Sequence, residues 1–307
     1  KSFENEFCNF VGLPKGHAVA VSNGTAALYL ALLALDGAGK KIALPAYVCS
    51  ALRHAVTMAK GENVLIDTKY DSPNLDLEEV CNKNPQITII PHTYGIPLNL
   101  SNVKKIMFIE DCSHALGAKI HGKSVGLQGE LGVVSLAATK IITSGGSGGM
   151  IFSKNKQLIE KIIDYIEYDM KMDDTRRFNF QINDLQAAIG REQLRKLPNF
   201  IKRREEIFQK YKTSGLNLLD ISPDDSEIIR PIRFRAVLKT DKQFQTIKLL
   251  KDNGVSSRVL NDEWIISKNP AQFPNSFSMV KNLVSLPIYP SLSDKDIEKI
   301  ISVLINK

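Results

Sequence analysis

Hydrophobic positions in the first two-thirds of the chain fall in short runs rich in β-branched residues. They are Lys41–Leu44, Asn63–Asp67, Ile87–Pro91, Ile106–Glu110, Gly132–Leu136 and Gly149–Ser153. Several lack polar alternation, which is how strands covered on both faces read. Gly24 to Leu35 is apolar nearly all round, the mark of a buried helix. Tyr47–Lys60 carries apolar residues at helical intervals. Strands alternating with helices predict an α/β unit built on an open, mostly parallel sheet.

From Asn183 to Ser214 the pattern turns helical, with Asn183 or Asp184 as the expected N-cap and Pro198 expected to bend or split the helix. Beyond it, Arg230–Leu238 reads as a strand, Lys242–Asn253 as a helix stopped by Gly254, and Val255–Leu260 as another strand. Ser293 can cap a last helix with Ile297, Ile300, Ile301 and Leu304 on one face. The expected organisation is a large α/β domain over residues 1–190. A connecting helix and a smaller α+β domain follow over residues 191–307.

Composition narrows the class. With 43% hydrophobic and 24% charged residues the chain reads as a soluble globular protein, long enough at 307 residues to bury a core without staples. Its four cysteines (Cys8, Cys49, Cys81, Cys112) show no CxxC or Cys/His spacing, so neither a disulfide framework nor a metal site is expected. The longest apolar stretch, Ala26–Leu35, is about half of what crosses a bilayer. No signal-peptide pattern opens the sequence, which starts at Lys1 as a trimmed chain would, and a reducing cytoplasm is the expected compartment. The net charge of +7 is spread along the chain, and its densest basic run, Lys202-Arg203-Arg204, runs at once into Glu205-Glu206. That is the pattern of a solvated helix face and argues against nucleic-acid binding, while the surplus suits an anionic small substrate.

One motif is a decoy. Gly117-Ala-Lys-Ile-His-Gly122-Lys123-Ser124 satisfies the P-loop string, but no helical period follows it to supply the phosphate-binding N-terminus. A chance match in a hairpin is expected instead, and no GxGxxG follows the first strand. Three other elements point to one chemistry. Ser22-Asn23-Gly24-Thr25 opens the buried helix, where unpaired N–H groups and a glycine can cradle phosphate. Asp111 closes an apolar strand with His114 three residues on, and ligands of open α/β sheets gather at such strand ends. Lys140 leaves the end of another strand between apolar Leu136–Ala138 and Ile141–Ile142, before a glycine-rich turn. Desolvation there is expected to make it a usable nucleophile. A Schiff-base lysine, an acid for a pyridinium nitrogen and an anion cradle are what pyridoxal 5′-phosphate requires.

At these residues the chain resembles the DegT/DnrJ/StrS-type sugar-nucleotide aminotransferases, a pyridoxal-phosphate family of fold type I, from about Glu4 to Ile305. Ser22–Leu28 resembles the family's opening phosphate motif. Pro45-Ala-Tyr47, Asp67 and Pro91-His-Thr-Tyr-Gly95 fall at its matching strand ends, and Leu286-Pro-Ile-Tyr-Pro290 resembles its C-terminal signature. The resemblance implies that Asp111 meets the pyridine nitrogen, that His114 lies by the ring hydroxyl, and that Ser135 and Lys140 are the phosphate serine and Schiff-base lysine. Gly24 and Thr25 would complete the phosphate site, and Asn179, in Phe178-Asn179-Phe180, would reach the phosphate of a partner subunit. It implies a homodimer with shared sites, and transfer of an amino group, usually from glutamate, to a keto-sugar on a nucleoside diphosphate. The product would serve surface polysaccharide, lipopolysaccharide or a glycosylated metabolite.

The chain departs from the family in places. Its N-terminal arm and the stretch between about Lys154 and Arg177 are short, Cys49 stands where an aromatic often stacks on the cofactor, and Ile141 stands where Asn is common. The turn Gly145-Gly-Ser-Gly-Gly149 lacks the family's acid. These departures motivate a competing reading, a non-catalytic regulator that keeps the fold. A related sugar dehydratase would carry histidine in place of Lys140, and a P-loop ATPase would depend on Lys123. Arg176, Arg177 and Arg258 are candidates for the diphosphate.

Overall fold

In the computed structural model, which describes residues 1–101, 103, 105–261 and 263–305, all six apolar runs become strands of one sheet. The strands are β1 (Ala18–Val21), β2 (Lys41–Pro45), β3 (Glu62–Ile66), β4 (Ile87–Pro91) and β5 (Met107–Asp111). A short hairpin, β6 (Lys119–Ile120) and β7 (Lys123–Ser124), precedes β8 (Leu131–Ser135) and β9 (Gly149–Phe152). The sheet runs β1-β9-β8-β5-β4-β2-β3. From β3 to β8 all neighbours are parallel, while β9 is antiparallel to both β8 and β1. Strand β1 was not among the apolar runs read from the sequence; its four residues are all buried.

Residues of one strand alternate between two cores, as the pleat requires. Val19, Val133 and Ile151 join a layer formed by α2 (Gly24–Ala34), α3 (Ala51–Met58) and, beyond α4 (Leu77–Lys83), α5 (Lys156–Ile166). Ala20, Val134 and Phe152 face the other side, against α1 (Ser2–Val11) and the start of α6 (Asp184–Thr213). The Gly117–Ser124 string is the β6–β7 hairpin, turning at His121 and Gly122 in the left-handed region (φ 48° and 73°), with no helix behind it. It is not a phosphate loop.

Helix α6 is unbroken across Pro198, contrary to the expected split, and starts in a capping box between Asn183 and Gln186. Its second half packs with β11 (Ala236–Lys239), α7 (Gln243–Asp252) and, near the end of the chain, β12 (Leu283–Leu286) and α10 (Asp294–Ile305). Ser293 caps α10 as expected. The run Arg230–Leu238 divides instead of forming one strand. A short β10 (Ile229–Arg230) pairs with β6, and β11 pairs with β12. Val255–Leu260 is not a strand: only Arg258 bridges to Ser285. Among the described residues no helix is long and apolar enough to cross a membrane.

Two short helices, α8 (Trp264–Lys268) and α9 (Pro274–Asn282), lie over the sheet's edge. Asp67, just past β3, accepts hydrogen bonds from the N–H groups of Asn275 and Ser276 at the start of α9, and from the Ser276 hydroxyl. A carboxylate there satisfies N–H groups that a helix start leaves open. Replacing it should cost about 2 kcal/mol, the price of a helix cap plus buried donors left without partners. Asp67→Ala is therefore expected to lower the urea midpoint of unfolding; an unchanged midpoint would show that the cap contributes nothing.

Candidate active site

Strand β5 presents two adjacent carboxylates to opposite faces. Glu110 is wholly buried and accepts hydrogen bonds from His92 Nε2 (2.9 Å) and from the N–H groups of Gly126, Gln128 and Gly129 (2.6–2.9 Å). Leu98 N–H donates to His92 Nδ1, so Nε2 is the nitrogen that carries the proton toward Glu110. Burial alone would raise the Glu110 pKa, but His92 and the backbone donors outweigh it and hold the carboxyl below its usual value. Asp111 closes the strand on the other side, its Oδ1 accepting from Ser113 N–H at 2.9 Å.

From Asp111 a chain of contacts leads to the start of α2. Ser113 Oγ accepts from Ser135 N–H at 2.8 Å, at the end of β8. The Ser135 side chain in turn presses on Gly24, where an added Cβ would sit 2.6 Å from Ser135 Cβ. Asn23 caps α2 through Ala26 N–H, so Gly24 and Thr25 are its first residues, whose N–H groups have no carbonyl partner within the helix. The glycine-rich turn packs here as well: Ser147 Oγ donates to the Ser22 carbonyl, and Gly145 and Gly146 take left-handed φ values of 82° and 121°.

Lys140 follows β8 in a turn, with its Nζ 3.1 Å from His114 Nε2. The lysine is half-buried: Leu136, Ile141 and Ile142 are buried beside it, but Ala138 and Thr139 are exposed, so the full desolvation expected from its neighbours is not present. Burial, then the charges of Lys140 and Arg235, push the His114 pKa well below its ordinary value. The imidazole is thus neutral, and Nε2 accepts from the lysine. It stacks on Phe234 (centroids 4.2 Å, 15°), with the Tyr94 ring nearly parallel at 6.4 Å. Tyr94 holds its ring there from a left-handed backbone (φ 59°, ψ 12°), which costs a bulky residue about 1–3 kcal/mol. Its hydroxyl donates to Tyr47 Oη at 2.8 Å, which binds the Leu260 carbonyl. Gly95 follows at φ 87°, where a Cβ would strike the Ile232 carbonyl.

Asp111, Ser113, His114, Lys140 and Tyr94 line one cleft of about 280 Å³ at the carboxyl ends of β4, β5 and β8, with Cys49, Arg235 and Arg258 on its walls. Cys49 reaches solvent, yet its thiol is pushed up by the protein packed around it and by Asp111, with Lys140 opposing. The structure thus brings Asp111, His114, Lys140 and Cys49 together in the cleft, and packs Gly24 against Ser135. Asn179 is not in the cleft; it is exposed, while its sequence neighbours Phe178 and Phe180 stack on one another. Arg177 is engaged by Asp164 and Asp173, and Arg176 by Tyr29. Sequence reading missed Ser113, Phe234 and Arg235. Alternation along Arg233-Phe234-Arg235 was the only available signal, and it does not say what the strand packs against.

The donor set fits a phosphorylated pyridine aldehyde. Gly24 has no room for a side chain, which brings the first turn of α2 up against Ser135, and the amine and the acid sit in one cleft. Among the described residues no group of three His, Cys, Asp or Glu side chains is placed to hold a metal ion. The model of the DegT/DnrJ/EryC1/StrS aminotransferase family matches residues 1–305. GDP-perosamine synthase of Escherichia coli O157:H7 is 25% identical over 97% of this chain and 86% of its own length. Spore coat polysaccharide biosynthesis protein SpsC of Bacillus subtilis is 28% identical over 99% and 88%. A structure described as a sugar aminotransferase from Streptococcus pneumoniae, in its PLP form, superposes with a TM-score of 0.88 at 20% identity, over 99% of this chain and 90% of that one.

A folded-state pKa depressed below the unfolded value of about 6.5 for histidine means that, as pH falls through that value, the unfolded chain takes up a proton that the folded chain refuses. Stability is then lost toward low pH. His114→Gln should remove that share, so its melting temperature should drop less than wild type's between pH 7.5 and 5. Parallel pH profiles would contradict the neutral imidazole.

Proposed function

The chain belongs to the DegT/DnrJ/EryC1/StrS aminotransferase family, and we propose that it moves an amino group from an amino acid, glutamate in the first instance, to a keto-sugar carried on a nucleoside diphosphate. The observation that carries this reading is the convergence of Lys140, His114 and Asp111 in one cleft. Relatives named for a GDP-linked product and for polysaccharide biosynthesis support the substrate class and a product bound for surface polysaccharide.

The enzymes of this family use pyridoxal 5′-phosphate, which when bound supplies an electron sink that lets a carbon–hydrogen bond release its proton. The residues that would hold it are Lys140 through Nζ, Asp111 at the ring nitrogen, and Gly24, Thr25 and Ser135 at the phosphate. Asp111 is buried, and a carboxylate there keeps a neighbouring ring proton in place. Lys140 Nζ, once free, is the group positioned to take a proton from the substrate carbon and return it. His114 Nε2, neutral and 3.1 Å away, accepts from that amine and holds it in the cleft. Tyr94, Phe234 and the segment ending at Asn261 close the cleft over these atoms.

A homodimer belongs to the same proposal, with Asn179 completing the phosphate site of the partner. The exposure of Asn179 and of the large apolar side chains Leu185 and Ile189 supports it. A cytoplasmic location is supported by four free cysteines.

Borohydride reduction of protein loaded with pyridoxal phosphate should label the peptide containing Lys140, and Lys140→Ala should lose both the label and, by about 10³-fold, conversion of glutamate to 2-oxoglutarate with a nucleotide-linked keto-sugar. Label at another lysine, or turnover that survives the substitution, would end the proposal. Gly24→Ala, which forces a methyl onto Ser135, should weaken cofactor binding about tenfold, a loss near 1.4 kcal/mol in a spectrophotometric titration; unchanged affinity would remove Gly24 from the phosphate site.

A further inference from the structure

Nine non-glycine residues among those described take left-handed φ values, and of these only Tyr94 and Asn261 line the Lys140 cleft. Strain of this kind persists where its surroundings over-determine it, and it gathers at functional sites. Both residues belong to one chain of hydrogen bonds. Asn261 Nδ2 donates to Tyr94 Oη at 3.4 Å, the Tyr94 hydroxyl donates to Tyr47 Oη at 2.8 Å, and the Tyr47 hydroxyl donates to the Leu260 carbonyl at 3.4 Å. Asn261 Nδ2 also donates to the Tyr47 carbonyl at 3.5 Å. Each hydroxyl accepts once and donates once, so the chain starts and ends on adjacent residues of the segment that covers the cleft.

The two sides of this chain are held unequally. The backbone around Tyr94 is fixed from both directions: Thr93 N–H donates to Asn74 Oδ1, Asn74 Nδ2 to the Ile96 carbonyl, and Ile232 N–H to the Gly95 carbonyl, at 2.9–3.0 Å. Tyr47, just past β2, is wholly buried. The covering segment has fewer ties. Over residues 256–261 its hydrogen bonds to the rest of the molecule are the bridge between Arg258 and Ser285 and the two ends of the tyrosine chain. The Leu260 side chain packs with Tyr47 and Tyr94, which keeps the segment down. Apolar contact has no direction, whereas a hydroxyl on the Leu260 carbonyl sets the course of the backbone that carries Arg258 to the cleft wall.

We infer that Tyr47 and Tyr94 are positioning residues of the reaction: their paired hydroxyls seat residues 258–261 over the cleft and so place Arg258. The inference rests on the aminotransferase reading and adds to it two residues that act through Arg258. Phenylalanine at either position keeps the ring, including the Tyr94 ring that lies parallel to His114, and removes the hydroxyl alone.

The test compares Tyr47→Phe, Tyr94→Phe and the double variant, each loaded with pyridoxal phosphate. With one hydrogen bond of the chain gone, amide exchange in the peptide containing residues 256–261 should quicken about fivefold, with the β4 and β5 peptides unchanged. Trp264, the only tryptophan and three residues past Asn261, should show lower fluorescence anisotropy. The double variant should match the larger single one, because the two hydroxyls act in series. In Tyr47→Phe the L-glutamate concentration that gives half the maximal rate of loss of the visible cofactor band should rise about fivefold, with the maximal rate within about twofold of wild type. Should Tyr47→Phe not fold, Tyr94→Phe and Asn261→Ala break the same chain. Exchange unchanged in every variant, exchange quickened throughout the protein, or an unchanged half-saturating concentration would overturn the inference. Failure of the aminotransferase reading shows separately, in the unsubstituted protein, as borohydride label absent from Lys140.

Discussion

A buried negative charge must be met by donors wherever it sits, and Glu110 is where this molecule satisfies that demand most completely. His92 from the end of β4 and three N–H groups of residues 126–129 close around it. The arrangement ties the carboxyl ends of β4 and β5 to the loop that feeds β8. Because side chains of a strand alternate, holding Glu110 on one face turns Asp111 toward the cleft on the other. Ser113 then carries the same order to Ser135 and, through it, to the first turn of α2. Asp111, Ser135 and the first turn of α2 are thus held in register by short side chains bonded to or packed against backbone.

The electrostatic character of the site follows from what surrounds that frame. Lys140, Arg235 and Arg258 face a cleft with Asp111 as its buried acid. His114 stays neutral among them because burial and two cations oppose its protonation. A neutral imidazole stacked between aromatic rings can accept from an amine without adding to the positive charge. Lys140, Arg235 and Arg258 thus leave the cleft with more basic than acidic groups on its walls.

The C-terminal third completes the site without supplying its lysine or its cofactor acid. Residues 229–234 return to the core on the α1 side of the sheet, where Ile229, Ile232 and Phe234 pack with Phe7, Phe152 and the β6–β7 hairpin. The chain then enters β11, so that Phe234 backs His114 while Arg235 reaches the cleft. Tyr47 and Tyr94 meet Leu260 and Phe273 at the same junction. Asp67 adds a cap across it. The strand ends of the sheet and the segments that cover the cleft are therefore joined by packed side chains and hydrogen bonds, which restricts relative movement.

Local patterning alone was enough to place six of the seven strands, the buried helix α2 and the caps at Asn183 and Ser293, because apolar periodicity and end residues report the geometry of a single element. It also singled out Gly24, Thr25, Asp111, His114 and Lys140, since each stands at or just beyond the end of an element whose boundary is readable; Ser135 came from the family resemblance. Cys49 was reached only through the family resemblance. The rest was decided by packing between segments distant in sequence. Pairing of Ile229–Arg230 with β6, and of Ala236–Lys239 with β12, broke one expected strand in two. The Val255–Leu260 run lost its strand because it reaches the sheet only through Arg258. Lys140 stayed half-exposed because apolar neighbours in sequence do not ensure cover in space. Spacing along a chain encodes which face of an element is buried, but not which distant residue lies against that face, and so Phe234 and Arg235 acquired their places only when the chain closed on itself.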